Sequence, residues 1–259
     1  MSSPLKLEID QSLAVITFNA PERANVLDLT MARAFAAAVQ AVAGDPAIRA
    51  LLITAEGRQF CAGGDIRAFA DASRPLQDIL QEVIDPLHEA MKMLALLPLP
   101  IVCAINGPVG GGGIGLALCG DIVLAAEAMK LRGGYSAIGL TPDVGSSWFV
   151  TRRAGAAKAK EIFLTNRPLT AAECRDIGLV DEVLPDHELQ HHARKLALQL
   201  AQGPQHAQAR IKALVDAAQH HGLHAHVDME REAMLASGAT ADAQEGIRAF
   251  LDKRAPKFQ

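Results

Sequence analysis

Two glycine-rich segments carry the first chemical signal in the chain: Ile101-Val-Cys-Ala-Ile-Asn-Gly-Pro-Val-Gly-Gly-Gly-Gly-Ile-Gly115 and Phe60-Cys-Ala-Gly-Gly-Asp-Ile66. In the longer one an apolar, β-favouring stretch empties into glycines, whose missing Cβ leaves the backbone N–H groups unshielded. Together the two segments offer separate main-chain donors to a single oxygen, the arrangement that stabilises an oxyanion. Asp65 stands where it can cap a following helix, an ordinary use of Asp that also leaves nearby amides aimed at an acceptor. A site made of backbone has no acid or base of its own, so its proton chemistry must come from an acidic side chain that faces it.

Competing constellations are weaker. Gly110, Gly112 and Gly115 satisfy G-x-G-x-x-G, but four adjacent glycines produce that match almost by accident, and no acidic residue stands about 20 positions on at a plausible strand end. Glycines that let a helix pack tightly on a sheet are the better reading, and no Gly-Lys-Ser/Thr phosphate loop is present. His220, His221, His224 and His226 include an i, i+4 pair, yet Gly222 weakens a helix there and no H-E-x-x-H pattern forms, so no metal site is expected. The four cysteines, Cys61, Cys103, Cys119 and Cys174, are far apart and in apolar surroundings. They read as reduced thiols of a cytosolic protein.

Positioning such a site requires alternating strands and helices. Lys6 to Ile9 and Leu13 to Phe18 read as a β-hairpin, followed by a helix to about Ala43 capped by Asp28 or Thr30. Strands are expected at Ala50 to Thr54, Ile101 to Ile105 and Ile122 to Ala126. Helices are expected at Ile66 to Ala72, at Leu76 to Leu97 ending before Pro98, and near Gly113 to Cys119. Beyond Ser146 the pattern is helical, interrupted by a short strand at Leu179 to Leu184, with a long helix from about Asp186 to Gln202. This is α/β layering, with a core over residues 1–195 and a C-terminal helical region over 196–259.

The 259 residues suffice for a substantial core, and 50% of them are hydrophobic. Aromatic residues make up only 4% and the net charge is −4, which argues against a nucleic-acid partner. The N-terminus lacks the apolar core of a signal peptide, and Pro98 and Pro100 break the most membrane-like stretch. A cytoplasmic protein with no membrane association is therefore expected.

Taken in order, Phe18-Asn-Ala-Pro-Glu-Arg-Ala-Asn-Val-Leu-Asp28, Phe60 to Phe69, Asn106 to Ile122, Ile138-Gly-Leu-Thr-Pro-Asp-Val-Gly-Ser146 and Leu169 to Val180 resemble the enoyl-CoA hydratase/isomerase (crotonase) superfamily across nearly the whole chain. The resemblance implies a ββα spiral core and a trimer or dimer of trimers. It implies an acyl-CoA substrate in which coenzyme A is part of the substrate, with no separate cofactor. It assigns the amides of Ala62 and Gly112 to the oxyanion hole. Arg23 and the turn of Ala62, Gly63, Gly64, Asp65 and Ile66 would hold the CoA moiety, and Tyr135 would donate a proton or pack beside the acyl chain. Lys253 to Phe258 resembles a segment that can reach a neighbouring subunit's CoA site, or is a solvated basic tail.

The departures from the family pattern select the chemistry. Gly115 and Tyr135 occupy the positions where hydratases of the family carry two glutamates, and water addition needs groups that activate water and manage its proton. Asp143 remains, at a position resembling the acid of double-bond isomerases such as the ring-opening isomerases of phenylacetate breakdown. Spacing alone favours a helix cap near Val144 as the role of Asp143. With the oxyanion segments beside it, the expectation is a double-bond isomerase acting through Asp143. Weak hydration, thioester hydrolysis or acyl-CoA binding without turnover are the alternatives. A second acid from Glu82, Asp85, His88 or Glu89 is a further possibility.

Overall fold

The computed structural model describes residues 3–258. Strands β1 (Leu5–Asp10), β2 (Leu13–Phe18), β3 (Ala50–Ala55), β4 (Ile101–Ile105), β6 (Ile122–Ala126) and β9 (Glu182–Leu184) form one sheet in the order β1-β2-β3-β4-β6-β9. The β1–β2 hairpin is antiparallel, and every other neighbouring pair in this sheet is parallel. A second sheet joins β5 (Val109–Gly110), β7 (Lys130–Arg132) and β8 (Leu169–Thr170). After β4 and β6 the chain steps from the large sheet to the small one and returns through a helix. Cys61, bridged to Val109, makes the same step after β3. This repetition is the ββα spiral.

Strands β2, β3, β4 and β6 are apolar on both sides because both faces of the sheet are covered there. Ile16, Phe18, Leu51, Ile53, Cys103, Ile105 and Val123 pack in one cluster with α1 (Leu29–Gly44), α3 (Leu76–Leu96) and α4 (Gly113–Leu118). The alternate residues Leu13, Val15, Leu52, Val102, Ala104 and Leu124 face α7 (Leu189–Ala201). Leu189, Ala193, Ala197 and Ala201 recur every four residues, a single stripe whose small side chains let α7 lie close on the sheet. The expected boundary between 195 and 196 therefore falls inside α7, and the change in packing comes after Ala201.

Helix α1 is capped by Asp28, whose carboxylate accepts the Met31 N–H at 2.8 Å, so Thr30 is not the cap. The short α2 (Ile66–Phe69) ends three residues before the expected Ala72. In α5 (Ser146–Thr165) a kink at Gly155, with φ of 80°, divides the helix into two segments. Helix α6 (Ala171–Asp176) leads into β9, and α8 (Gln205–Ala217), α9 (Leu223–Gly238) and α10 (Ala241–Leu251) complete the fold. Among the described residues no helix is long and apolar enough to cross a membrane.

Candidate active site

The two glycine segments lie side by side. The Gly110 N–H donates to the Cys61 carbonyl at 3.0 Å, and a Cβ on Gly63 would stand 2.9 Å from the Gly110 oxygen. Gly63, at φ of +93°, is a position that only glycine fills without strain. The Ala62 N–H donates to the Ala24 carbonyl at 3.0 Å, which overturns the expectation that Ala62 offers its amide to a ligand. That donor is already used to anchor the turn that follows β2. The Gly63 N–H lies against Cys61 Sγ at 3.4 Å. Among the described residues, no hydrogen-bond acceptor meets the N–H of Gly64 or of Gly112. The donors left open where the two segments meet are thus the N–H groups of Gly112 and Gly64, while that of Ala62 is taken.

Asp143 stands beside Gly112, one of these two donors. It follows a 3-10 turn at Tyr135–Ile138, and the chain then passes through left-handed conformations at Gly139, Val144 and Gly145. Val144, at φ of +50°, is β-branched and unusual in that region, a strain of the kind that accumulates at functional sites. Two neighbours hold the turn. The Val144 N–H donates to His88 Nε2 at 3.1 Å, and the Tyr135 hydroxyl donates to Asp143 Oδ1 at 2.6 Å. A Cβ on Gly112 would lie 3.0 Å from the same Oδ1, so only glycine lets the carboxylate approach this closely. Asp143 does not cap α5. That helix begins at Ser146 after Gly145 and has no side-chain cap.

Burial raises the Asp143 carboxyl above the ordinary carboxylate range, opposed by the Tyr135 hydrogen bond and by His88. The half-buried carboxylate is a stronger base than a solvated one. Cys61 is no rival nucleophile, since burial pushes its thiol up to about 12.

The remaining expected residues are distributed around this centre. Arg23, half exposed, donates to Asp28 Oδ2 at 2.7 Å and to Asp65 Oδ2 at 2.9 Å, tying the start of α1 to the start of α2. Asp65 caps α2, accepting from the N–H of Arg67 at 3.1 Å and of Ala68 at 3.4 Å. Ile66 is exposed. Tyr135 is only 7% exposed and its hydroxyl donates to Asp143, so it backs the carboxylate. Of the α3 candidates, Glu82 pairs with Arg74 and Glu89 with Lys92, and Gln81 donates to Asp85. His88 is the α3 residue that reaches the site, through a backbone amide that no spacing rule would single out. The tail folds back on α10, with Arg254 on Glu245 at 2.7 Å. His226 lies 3.6 Å from Glu230, and no cluster of metal-ligating side chains occurs among the described residues.

Gly115 has no room for a side chain. A Cβ there would collide with the Val144 carbonyl, and the Gly115 N–H donates to Ser146 Oγ at 3.1 Å. The absence of a carboxylate at this position is therefore built into the packing of α4 against the Asp143 turn.

Comparison with known proteins agrees with this geometry. Residues 8–259 match the family model for enoyl-CoA hydratase/isomerase. The chain is 36% identical to the 1,2-epoxyphenylacetyl-CoA isomerase of Escherichia coli over 251 residues, covering 96% of each protein. It is also 36% identical to a "probable enoyl-CoA hydratase" of Rhodobacter capsulatus over 254 residues, covering 98% of this chain and 97% of that one. The crystal structure of an enoyl-CoA hydratase from Polaromonas sp. JS666 superposes with a TM-score of 0.91 at 31% identity, covering 98% of this chain and 99% of that one. The spiral of strands is that of a shared fold, and this chain belongs to the enoyl-CoA hydratase/isomerase family.

Proposed function

We propose that this protein is an acyl-CoA double-bond isomerase in which Asp143 moves the proton and the amides of Gly64 and Gly112 hold the thioester oxygen. The carboxylate takes a proton from the carbon next to the thioester of a 3-enoyl-CoA, and the electron pair released passes into a dienolate whose negative charge gathers on the carbonyl oxygen. Two fixed N–H donors stabilise that charge more than the neutral carbonyl, so they lower the barrier and not merely the ground state. Asp143 then returns the same proton to C4, two carbons along from the carbon it left, which shifts the double bond into conjugation and leaves the atom count unchanged. One carboxylate serves both transfers.

The observation that carries this reading is the approach of Asp143 Oδ1 to the Gly112 backbone, with Gly115 closed to a second acid. Hydration would need a second group to manage the water proton, and neither Gly115 nor Tyr135 supplies a carboxylate. Arg23 and the turn from Gly63 to Ile66 are read as the edge on which the CoA portion rests. The active form is read as a trimer or dimer of trimers in the cytoplasm, with no cofactor beyond the CoA of the substrate.

Incubation with 3-enoyl-CoA thioesters in deuterated water, with mass detection, tests the reaction. The expected outcome is conversion to the conjugated 2-enoyl isomer by the wild type, abolished in Asp143→Asn while thioester binding persists. Wild-type turnover in Asp143→Asn would overturn the assignment.

A further inference from the structure

A carboxylate has two oxygens, and an efficient shift of one proton between two carbons requires one of them to stay correctly aimed throughout. We infer that Tyr135 is a positioning residue whose hydroxyl takes up Oδ1 of Asp143 and leaves Oδ2 as the oxygen that exchanges the proton with the acyl carbons. This rests on the reading of Asp143 as the base.

The hydrogen-bond pattern around the phenol is directional. Tyr135 is 7% exposed and packs against Phe163, with ring centroids 6.0 Å apart, so its ring is held in place beside Asp143. The phenol has one proton, and the acceptor-only carboxylate oxygen at 2.6 Å claims it. The other contacts of the phenol oxygen fit an acceptor: the Asp143 N–H donates to it at 3.3 Å, and Ser146 Oγ lies 3.1 Å away. Ser146 Oγ is itself held by the Gly115 N–H at 3.1 Å and lies 3.3 Å from the Gly111 carbonyl. The phenol therefore grips Asp143 at its side chain and at its backbone, and is braced from the glycine segment that supplies Gly112.

The two carboxylate oxygens are thereby made unequal. Oδ1 carries the Tyr135 bond and abuts Gly112, whereas no hydrogen bond reaches Oδ2 among the described residues. Burial and the Asp143 charge raise the Tyr135 phenol, so it stays protonated and serves as a fixed donor, not as a second acid in turnover. The strained turn at Val144 needs such holding, since a carboxylate free to rotate would sample many unproductive orientations.

The test compares the full-length wild type with Tyr135→Phe, a change that removes the hydroxyl and keeps the ring. Rates with trans-3-hexenoyl-CoA are measured across pH, and the Asp143 carboxyl is titrated by carbon-13 NMR of aspartate-labelled protein, with Asp143→Asn identifying its resonance. The expected result is a fall in kcat of about 10- to 100-fold with KM nearly unchanged. The acid limb of the profile and the carboxyl titration should both move to higher pH, because the donor that favours the charged form is gone while burial remains. Wild-type kcat together with an unmoved carboxyl titration would reduce Tyr135 to packing and overturn the proposal. If the wild type fails to isomerise, the reaction assignment falls, and the carboxyl titration still decides whether Tyr135 governs Asp143.

Discussion

Asp143, the proposed base, is buried against the preference of its charged form for water. Its pKa is raised in the folded protein by burial, so the native state binds a proton more readily than the unfolded chain does. Stability from this group is consequently greatest at acid pH and is lost as pH rises from the unfolded value through the higher folded one. At neutral pH the buried charge destabilises the fold, and Asp143→Asn, which removes the charge while keeping an oxygen for the Tyr135 hydroxyl, should raise Tm. The gain should shrink as pH falls through the carboxylate range. Thermal unfolding of both proteins from pH 4 to 8 measures it, and a lower Tm for the variant at neutral pH would contradict the burial argument. Gly115 gives the complementary case. Wild-type protein should hydrate crotonyl-CoA far below about 10 per second, an ordinary enzymatic rate. Gly115→Glu should not create a hydratase, because its Cβ meets the Val144 carbonyl and displaces the turn that bears Asp143. It should instead lose isomerisation and stability together, as read by kinetics and Tm, and a gain in hydration would show that the turn yields.

At the scale of elements, the proposed donor Gly112 precedes α4, with φ of −58° and ψ of −22°. Proline adopts that φ and is tolerated where a helix begins, yet it lacks the N–H. Gly112→Ala introduces the same Cβ near Asp143 and keeps the N–H, so comparing the two variants isolates the donor. Gly112→Pro should lose on the order of 10²-fold more activity than Gly112→Ala, roughly 3 kcal/mol, with circular dichroism confirming that α4 persists. Equal losses would assign the glycine to packing alone. Gly110→Pro would not serve as a mild control, because the Gly110 N–H donates to Cys61 and holds the two segments together. The same bond pattern explains what could be read before the structure. The large sheet and α3 were legible because their apolar runs are long and periodic. The small sheet was not, since strands of two or three residues have no measurable period. Ala62 and Gly64 share one turn, and their spacing alone could not distinguish them. The difference is made by the Ala24 carbonyl, which arrives from a distant part of the chain.

At the scale of the whole molecule, the core and the C-terminal helices are finished to different degrees. Helix α7 is pressed onto the sheet, whereas α8 buries no residue fully, α9 buries only Ala233 and α10 only Ala249. Leu223 is 74% exposed, Met234 73%, Phe250 83% and Leu251 73%. A cleft of about 470 Å³ remains beside α8, lined in part by Trp148, Phe149, Ile211 and Val215. Exposed apolar residues in such number on consecutive helices are what a surface covered by another chain would present, in keeping with the proposed trimer or dimer of trimers. Light scattering after size exclusion should therefore give three or six times the 27.4 kDa mass of the chain. The double variant Leu223→Glu, Met234→Glu distinguishes a covered face from a tolerated one. In an isolated chain these exposed substitutions should each change stability by no more than about 0.5 kcal/mol. At an interface they bury unpaired charge and should split the assembly at micromolar concentration, with little change in the far-ultraviolet circular dichroism of each subunit. A wild-type monomer, or an assembly indifferent to both charges, would mean that these helices face water and that the apolar residues have no structural partner.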